Sequence, residues 1–195
     1  MERRQRLTQA AAELLEERDL EDIALADIAA HAGIPASSAY HFYPNAHSVF
    51  AAVAEEFAGL LAEAIQVPFS RDESSSWQSI ISTCVDRSVS IYANSVAFTQ
   101  LILSGKAPPD IKLSDRRHDE EVGRMILSAI EQHFEVPEFP RRNDVFFYVT
   151  EIADLMFMLS VNAHGRITEE MREEAKRAAV AYLRTYLPDI LHRKD

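Results

Sequence analysis

The stretch that most constrains the fold of this chain runs from Leu25 to Phe50. Apolar residues recur at helical spacing in its first part, and Gly33 follows them, where it can adopt the left-handed conformation that ends a helix. Pro35 suits the first turn of a second helix, because its missing N–H needs no partner there. The pattern predicts two short helices around a tight turn, with the second helix over Ala36 to Tyr43.

This stretch resembles the signature of the tetracycline-repressor (TetR) family. The resemblance is carried by Leu25, Asp27, Ile28, Ala29, Ala32, Gly33 and Ile34, followed by Tyr40, His41, Phe42, Tyr43, Pro44 and Asn45. It is tight over roughly residues 6–55 and continues beyond them only as a pattern of helices.

The resemblance implies an all-α fold of about nine helices. An N-terminal three-helix DNA-binding head with a helix-turn-helix is expected over residues 1–47. A helical effector-binding and dimerisation domain is expected over residues 48–195. The family also implies a double-stranded DNA operator and a small-molecule effector as partners. The effector is expected to be largely apolar.

Composition supports a helical chain without a membrane segment. Five glycines in 195 residues and an abundance of Ala, Leu and Glu favour helix. Cys84 is the only cysteine, so no internal disulfide can form, which suits a reducing compartment. We find neither a signal-peptide pattern nor an apolar run of membrane-spanning length, and we expect a cytoplasmic protein.

The charge of the chain argues against general nucleic-acid binding. The formal net charge is −11, and residues 1–50 carry four arginines against eight acidic residues, a net −4. Positive charge concentrates in Arg3, Arg4 and Arg6, which the sequence places ahead of or at the start of a first helix over residues 5–18. This N-terminal arm could reach a phosphate or the minor groove, or it could be a frayed, solvated terminus.

The second helix of the motif offers hydroxyl, aromatic and imidazole groups to DNA, but no Lys or Arg. One aromatic side chain must seal the motif against the first helix, and we expect Tyr43 to do so while Tyr40 and His41 contact DNA. The predicted DNA-binding residues are Arg3, Arg4, Arg6, Ala36, Ser37, Ser38, Tyr40, His41 and His47.

Longer helices are predicted over residues 46–66, 77–93, 96–103, 114–134, 145–161 and 169–187. Thirteen of the seventeen residues from Val145 to Val161 are apolar, so this helix must be covered on nearly all sides. The last helix carries small residues that allow close approach of another helix. In TetR-type proteins the last two long helices form the dimer interface, so a homodimer through these helices is expected.

The resemblance also implies a ligand cavity among the central helices. No sequence motif marks the position of such a site. The candidate lining residues are Trp77, Tyr92, Phe98, Met125, Phe146, Tyr148 and Met156, although residues of these types are more often ordinary core than pocket lining. Glu151 and Asp154 lie one turn apart in the apolar helix. Their carboxylates could face a cationic or hydrogen-bond-donating ligand, or an arginine of a second subunit such as Arg172 or Arg177.

No catalytic or metal-binding pattern stands out. Asp115, His118 and Glu121 share one helix face, but they lie in the charged run Asp115 to Glu121, which includes Asp119 and is typical of a solvated surface. No nucleophile–base constellation and no Gly-rich phosphate loop is present, so neither catalysis nor a cofactor is expected.

Two function classes remain. The first is a ligand-responsive transcriptional regulator, released from a palindromic operator by its effector. The second is a helical small-molecule-binding protein or enzyme that has kept the fold and lost DNA affinity.

Overall fold

The computed structural model describes residues 2–104 and 108–194 of the chain. Within these ranges the regular structure is entirely helical, which confirms the predicted fold class. The helices are α1 (Arg3–Leu15), α2 (Leu25–His31), α3 (Ala36–Phe42), α4 (Ala46–Gln66), α5 (Trp77–Ala93), α6 (Val96–Phe98), α7 (Pro109–His133), α8 (Arg142–His164) and α9 (Glu169–Leu183). A 3₁₀ turn (Leu20–Asp22) follows α1, and α6 continues into a π-helical turn (Thr99–Leu103).

Two hydrophobic clusters run along the molecule. The first joins α1, α2 and α3 to the N-terminal half of α4 and continues into the α6 region and Phe157 of α8. The second lies between the C-terminal half of α4 and helices α5, α7, α8 and α9. Helix α4 contributes to both clusters, so it connects the N-terminal helices to the rest of the chain.

The predicted bounds of α4 and α5 are confirmed, because both helices begin at a strong side-chain cap. The Asn45 side chain accepts a hydrogen bond from the Ser48 amide at 2.9 Å, and the Ser76 hydroxyl accepts one from the Ser79 amide at 3.0 Å. Such caps satisfy amides that a helix start would otherwise leave unpaired.

Several predicted helix ends were wrong, and α8 extends three residues beyond its predicted range at each end, from Arg142 to His164. Helix α1 ends at Leu15 and not at residue 18, because the carbonyl oxygens of Leu15 and Arg18 accept hydrogen bonds from the Gln100 side chain at 2.7 and 3.1 Å. Helix α7 begins at Pro109, five residues before the predicted start, with the proline in the first turn, where it is tolerated. Helix α9 ends at Leu183, four residues before the predicted end.

Helices α7 and α8 approach each other at backbone distance. Gly123 of α7 is buried, and a Cβ atom added there would lie 2.8 Å from the carbonyl carbon of Phe146 and 2.8 Å from the amide nitrogen of Phe147. Both atoms belong to the α8 backbone, which cannot move aside as a side chain can. The absence of a side chain at Gly123 therefore sets the spacing of these two helices.

We expect Gly123→Ala to lower the free energy of unfolding by about 1–3 kcal/mol, because the methyl group overpacks the contact between α7 and α8. Chemical denaturation of the purified protein measures the change. Gly59→Ala is the matched control: it also lies inside a helix, but its added Cβ would meet no atom within 4 Å. This control should raise the free energy of unfolding by about 0.5–1 kcal/mol. Equal effects of the two substitutions would contradict the close contact.

Candidate nucleic-acid interface and central cavity

The N-terminal head presents one face of α3 to solvent. Ala36, Ser37, Tyr40 and His41 are exposed, Ser38 is half-buried, and His47 is exposed at the start of α4. Tyr40 is 57% exposed, an unusual position for a large aromatic side chain in a monomeric domain. The six predicted DNA-binding residues of α3 and α4 therefore lie together on one surface.

The opposite face of α3 is packed against the head. Ala39 is fully buried, and Tyr43 is only 5% exposed, which confirms that Tyr43 seals the motif. The guanidinium of Arg4 lies 5.2 Å from the centre of the Tyr43 ring. Burial raises the pKa of Tyr43, and the nearby Arg4 charge opposes this rise.

The predicted N-terminal arm is wrong in its structure. Helix α1 begins at Arg3, so all three arginines lie in its first turn and not on an extended segment. The Arg6 guanidinium donates to the carbonyl oxygens of Ala32 and Gly33, which end α2. Gly33 has a φ of 63°, and the hydrogen bonds from Arg6 stabilise this left-handed turn. Arg4 and Arg6 thus brace the head, whereas no hydrogen bond or ion pair engages Arg3 within the described residues.

Two of the acidic residues of the head have a basic partner. His31 lies 2.8 Å from Glu13, and Arg18 lies 3.7 Å from Asp27. The Gln9 and His31 side chains hydrogen-bond to Glu13 and lower its pKa. The α3 surface itself bears no permanent charge, so contacts there would be hydrogen-bonding and apolar.

Two polar side chains tie the head to the helices behind it. The Glu16 carboxylate accepts hydrogen bonds from the Ser95 hydroxyl at 2.6 Å, the Val96 amide at 3.0 Å and the Ala97 amide at 3.1 Å. Burial opposes ionisation of Glu16, but these donors outweigh it and lower its pKa. In the other direction, Gln100 donates to the end of α1 and accepts from the Leu20 amide at 3.2 Å. We call Glu16 and Gln100 together the head latch.

A cavity of about 30 Å³ lies between α4, α5, α7, α8 and α9. Its wall is almost entirely apolar, and Asp154 supplies its one ionisable carboxyl group. The lining residues are Leu61, Ile81, Cys84, Val85, Ser88, Val122, Ile126, Val149, Thr150, Ala153, Asp154, Phe157 and Ala179. Burial raises the pKa of the Cys84 thiol to about 12, so this cysteine stays protonated and inert.

None of the seven predicted ligand-lining residues lines this cavity. Trp77 and Phe146 are fully buried, and the Trp77 indole donates to the Pro188 carbonyl at 2.9 Å. Tyr148 is exposed on α8, and Met125 borders a surface hollow beside Gln66.

The other three lie nearer the head. The rings of Tyr92 and Phe98 pack on Phe57 at 4.9 and 4.4 Å, and Met156 is half-buried. These side chains thus lie outside the small cavity, and Tyr92 instead lines a separate pocket of about 280 Å³ beside Ser95 and Ile167.

The most acidic part of the interior was missed by the sequence analysis. Asp119 was assigned to a solvated charged run, but it is only 5% exposed and shares a hydrogen bond with Asp154. We call Asp119 and Asp154 the carboxyl pair. Asp115 and Glu151 lie close enough to raise the pKa values of the pair further. The apolar stripe of Val122 and Ile126 could have revealed this, since extending it at helical spacing leads to Asp119 and Asp115.

The expected arginine partners of Glu151 and Asp154 are engaged elsewhere in their own chain. Arg172 lies 3.5 Å from Asp86, and Arg177 pairs with Glu174. Glu151 instead has Arg116 at 3.9 Å. His118 lies 3.2 Å from Glu55, and no group of acidic, His or Cys residues in residues 2–104 and 108–194 has the arrangement of a metal site.

A second surface lies on α8, where apolar side chains are open to solvent. Tyr148, Leu155 and Leu159 are 38, 45 and 47% exposed, and Ile152 between them is half-buried. Their spacing places them on one side of the helix. We call these four residues the α8 stripe. None of the helices in the described part of the chain has the length and apolarity of a membrane span.

A three-helix head that exposes the second helix of a helix-turn-helix defines a DNA-binding protein. Residues 7–53 match the family described as bacterial regulatory proteins, tetR family. A comparison with curated protein sequences found no match.

The fold of the whole chain has counterparts among solved structures. A TetR-family transcriptional regulator from Streptomyces coelicolor has a TM-score of 0.73 at 20% sequence identity, over 95% of this chain and 100% of that one. A TetR transcriptional regulator from Rhodococcus sp. RHA1 has a TM-score of 0.68 at 16% identity, over 93% and 95%. The flavonoid-responsive regulator FrrA has a TM-score of 0.57 at 16% identity, over 96% and 98%.

The matched N-terminal segment belongs to the tetR family, and the chain as a whole has the fold of that family's regulators. Its general role is therefore that of a DNA-binding transcriptional regulator.

Substitutions of Tyr40 and Tyr43, on and just after the recognition helix α3, should change the stability of the protein by different amounts. Tyr43→Ala should lower the free energy of unfolding by about 3–5 kcal/mol, because it empties a buried site. Tyr40→Ala should change it by less than about 0.5 kcal/mol, because the side chain is exposed. Chemical denaturation tests both, and equal losses would show that the two faces of the helix have been assigned wrongly.

Proposed function

We propose that the chain is a ligand-responsive transcriptional repressor that binds a palindromic operator as a homodimer and leaves it when an effector binds. The observation that carries the proposal is the exposed α3 face, on which Ser37, Tyr40 and His41 form a polar and aromatic surface that no other described residue covers. Serine, tyrosine and histidine can donate to phosphates and base edges, and apolar atoms can touch a thymine methyl group.

The functional division of the chain falls near the start of α4. Residues 1–47 form the DNA-binding domain, and residues 48–195 form the effector-binding and dimerisation domain. Asn45 caps α4 on the same surface as His47, so the helix start can face a phosphate with free amides. Arg3, in the first turn of α1, has no ion-pair partner within the described residues and would add a permanent positive charge for a phosphate.

The homodimer forms through α8 and α9. The α8 stripe leaves a run of large apolar side chains in water, and such a surface is stabilised when a second copy covers it. Small residues on α9, among them Ala178 and Ala181, let a partner helix approach closely. Two copies related by a twofold axis would present two α3 helices to successive major grooves, which suits a palindrome.

The head latch is the route by which an effector in the central cavity would act on the head. Glu16 bonds to the start of α6, and α6 follows directly after α5, which lines the cavity. A ligand that displaces α5 would therefore change the orientation of α1. Such a ligand releases DNA only if it binds the displaced state more tightly than the DNA-binding state. FrrA, whose name describes it as flavonoid-responsive, supports ligand control on this fold.

A second function class is favoured by the charge of the head. Its net charge is negative, and Arg4 and Arg6 are engaged within the head. A chain of this kind could bind a small molecule and have little affinity for DNA. The two classes differ in one measurement, which is specific binding to a genomic fragment.

The salt dependence of operator binding tests the proposal. Fragments selected from genomic DNA by the purified protein are retested by mobility shift over a range of salt. Each phosphate that the protein neutralises contributes about −0.9 to the slope of log K against the logarithm of the salt concentration, where K is the association constant for the operator. Two Arg3 side chains per dimer therefore give a slope of about −2. Six freely available arginines would give about −5.

Two arginine variants distinguish a role in DNA binding from a role in stabilising the head. Arg3→Ala should reduce the slope and leave the melting temperature unchanged. Arg6→Ala should lower the melting temperature, because the turn between α2 and α3 loses its brace. Failure to select any fragment would overturn the regulator and leave the small-molecule-binding alternative.

The dimer is tested separately. Leu155→Glu should convert the dimer to a monomer, because it places a charge at the centre of the α8 stripe. Leu113→Glu is the control, since Leu113 is also an exposed leucine but lies on α7. Light scattering at micromolar concentration gives the mass of each variant. A monomeric wild type, or a dimer that survives Leu155→Glu, would refute the interface.

A further inference from the structure

The central cavity combines an apolar wall with an acidic end. Its lining side chains are aliphatic or aromatic, apart from the neutral Ser88, Thr150 and Cys84 and the carboxyl group of Asp154. Asp154 in turn is hydrogen-bonded to Asp119, which is 5% exposed. The cavity therefore offers apolar contact on most sides and the Asp154 carboxyl group on one, with Asp119 behind it.

The described residues place no ion-pair partner on Asp119 or Asp154, whereas His118 and Arg116 lie near enough to Asp115 to lower its pKa against the rise caused by burial. In residues 2–104 and 108–194, no Lys, Arg or His nitrogen comes within 4.0 Å of a carboxylate of Asp115, Asp119 or Asp154. The nearest cationic groups pair with other acids, Arg116 with Glu151 and His118 with Glu55. The titratable and charged groups around the pair are Glu55 of α4, Tyr92 of α5, Asp115, Arg116 and His118 of α7, and Glu151 of α8.

Two hydrogen-bonded carboxyl groups repel each other when both are charged, so each favours the protonated form of the other. Burial first, and then the neighbouring carboxylates, raise the pKa values of Asp119 and Asp154. One oxygen of Glu151 is also shielded from solvent without a hydrogen-bond donor. The two carboxyl groups thus share one proton in the free protein. A positively charged ligand would stabilise both groups in their ionised form.

We propose that the central cavity binds a small organic amine, with its ammonium group between Asp119 and Asp154 and its apolar substituent in the aliphatic part of the cavity. The ammonium group displaces the shared proton, which leaves to solvent, so the exchange balances in charge. The assignment of such an amine as the effector rests on the proposed ligand-responsive function, whereas its binding does not.

The size of the cavity connects binding to movement. A volume of about 30 Å³ holds one or two water-sized groups, so an ammonium group enters but an alkyl chain does not. The alkyl chain must therefore push the lining helices apart. Tyr92 lies at the end of α5, where burial and then Asp154 and Asp119 raise its pKa, and Ser95, which donates to Glu16 of the head latch, follows three residues later. An amine at this site would thus disturb the segment that holds Glu16.

Isothermal titration calorimetry of the full chain without DNA tests the site, with hexylamine as the probe. Hexanol and hexanoate are the matched controls, because they keep the alkyl chain and replace the ammonium group by a neutral or an anionic one. Hexylamine should bind at least about tenfold more tightly than hexanol, since a charge-assisted hydrogen bond in a buried site contributes that much. Hexanoate should not bind.

The pH dependence reports the proton exchange. The carboxyl pair has raised pKa values, so protons compete with the amine at low pH and less so as pH rises. Hexylamine affinity should therefore increase from about pH 6 to about pH 8, where the amine itself is still charged. Titrations in buffers of different ionisation enthalpy should show release of up to one proton for each amine bound. Affinity that is independent of pH, or equal binding of hexanol, would overturn the proposal.

Variants locate the site. Asp154→Asn and Asp119→Asn should each weaken hexylamine binding at least about tenfold and reduce proton release. Glu170→Gln, on the exposed start of α9, is the control and should bind as the wild type does. Circular dichroism of each variant establishes that it is folded, and a folded Asp154→Asn variant that retains full affinity would refute the site.

A separate measurement distinguishes the site from the regulatory role. If hexylamine binds with the predicted pH dependence and operator DNA stays bound, the cavity assignment stands and its role as effector site fails. If no fragment is selected by the protein but hexylamine binds, the proposed regulator fails and the amine site stands.

Discussion

The hydrogen bonds between Glu16 and the start of α6 hold the molecule together as one unit. Without them, the amides of Val96 and Ala97 would lose their acceptor, and the carboxylate would lose three donors. Gln100 completes the contact by taking the carbonyl groups that end α1. Because side chains from both sides cap the other side's helix ends, neither the head nor the central helices are fully satisfied alone. The position of the recognition helix therefore depends on the position of α6.

Local signals in the sequence were sufficient for the helices and for the sealed face of the motif. Asn45 and Ser76 are good caps, and α4 and α5 begin where these residues predict. Tyr43 was correctly assigned to the interior because a short helix pair needs one large side chain to close it. The roles of Arg4 and Arg6 could not be predicted in this way, since their partners lie on α3 and at the end of α2. The same holds for the end of α1, which a residue 85 positions away determines.

The residues that were predicted to line the cavity differ from the observed ones for another reason. The sequence analysis selected large aromatic and sulfur-containing residues as lining, but such side chains fill space and so remove cavities. Free volume remains where aliphatic residues of moderate size meet, around Ile81, Val122 and Val149. Asp119 was misassigned because its neighbours in sequence are charged and exposed. Periodicity along the helix, and not local composition, determines which of them faces inward.

The backbone contact at Gly123 restricts how the interior can rearrange. Where two helices touch through main-chain atoms, no side chain can change its rotamer to let one slide or tilt against the other. Helices α7 and α8 are therefore expected to move together as one rigid unit. The carboxyl pair, with one residue on each helix, then keeps a constant separation. Expansion of the cavity is therefore expected on the wall formed by α4, α5 and α9, and α5 is the one of these three that leads directly to the segment bonded to Glu16.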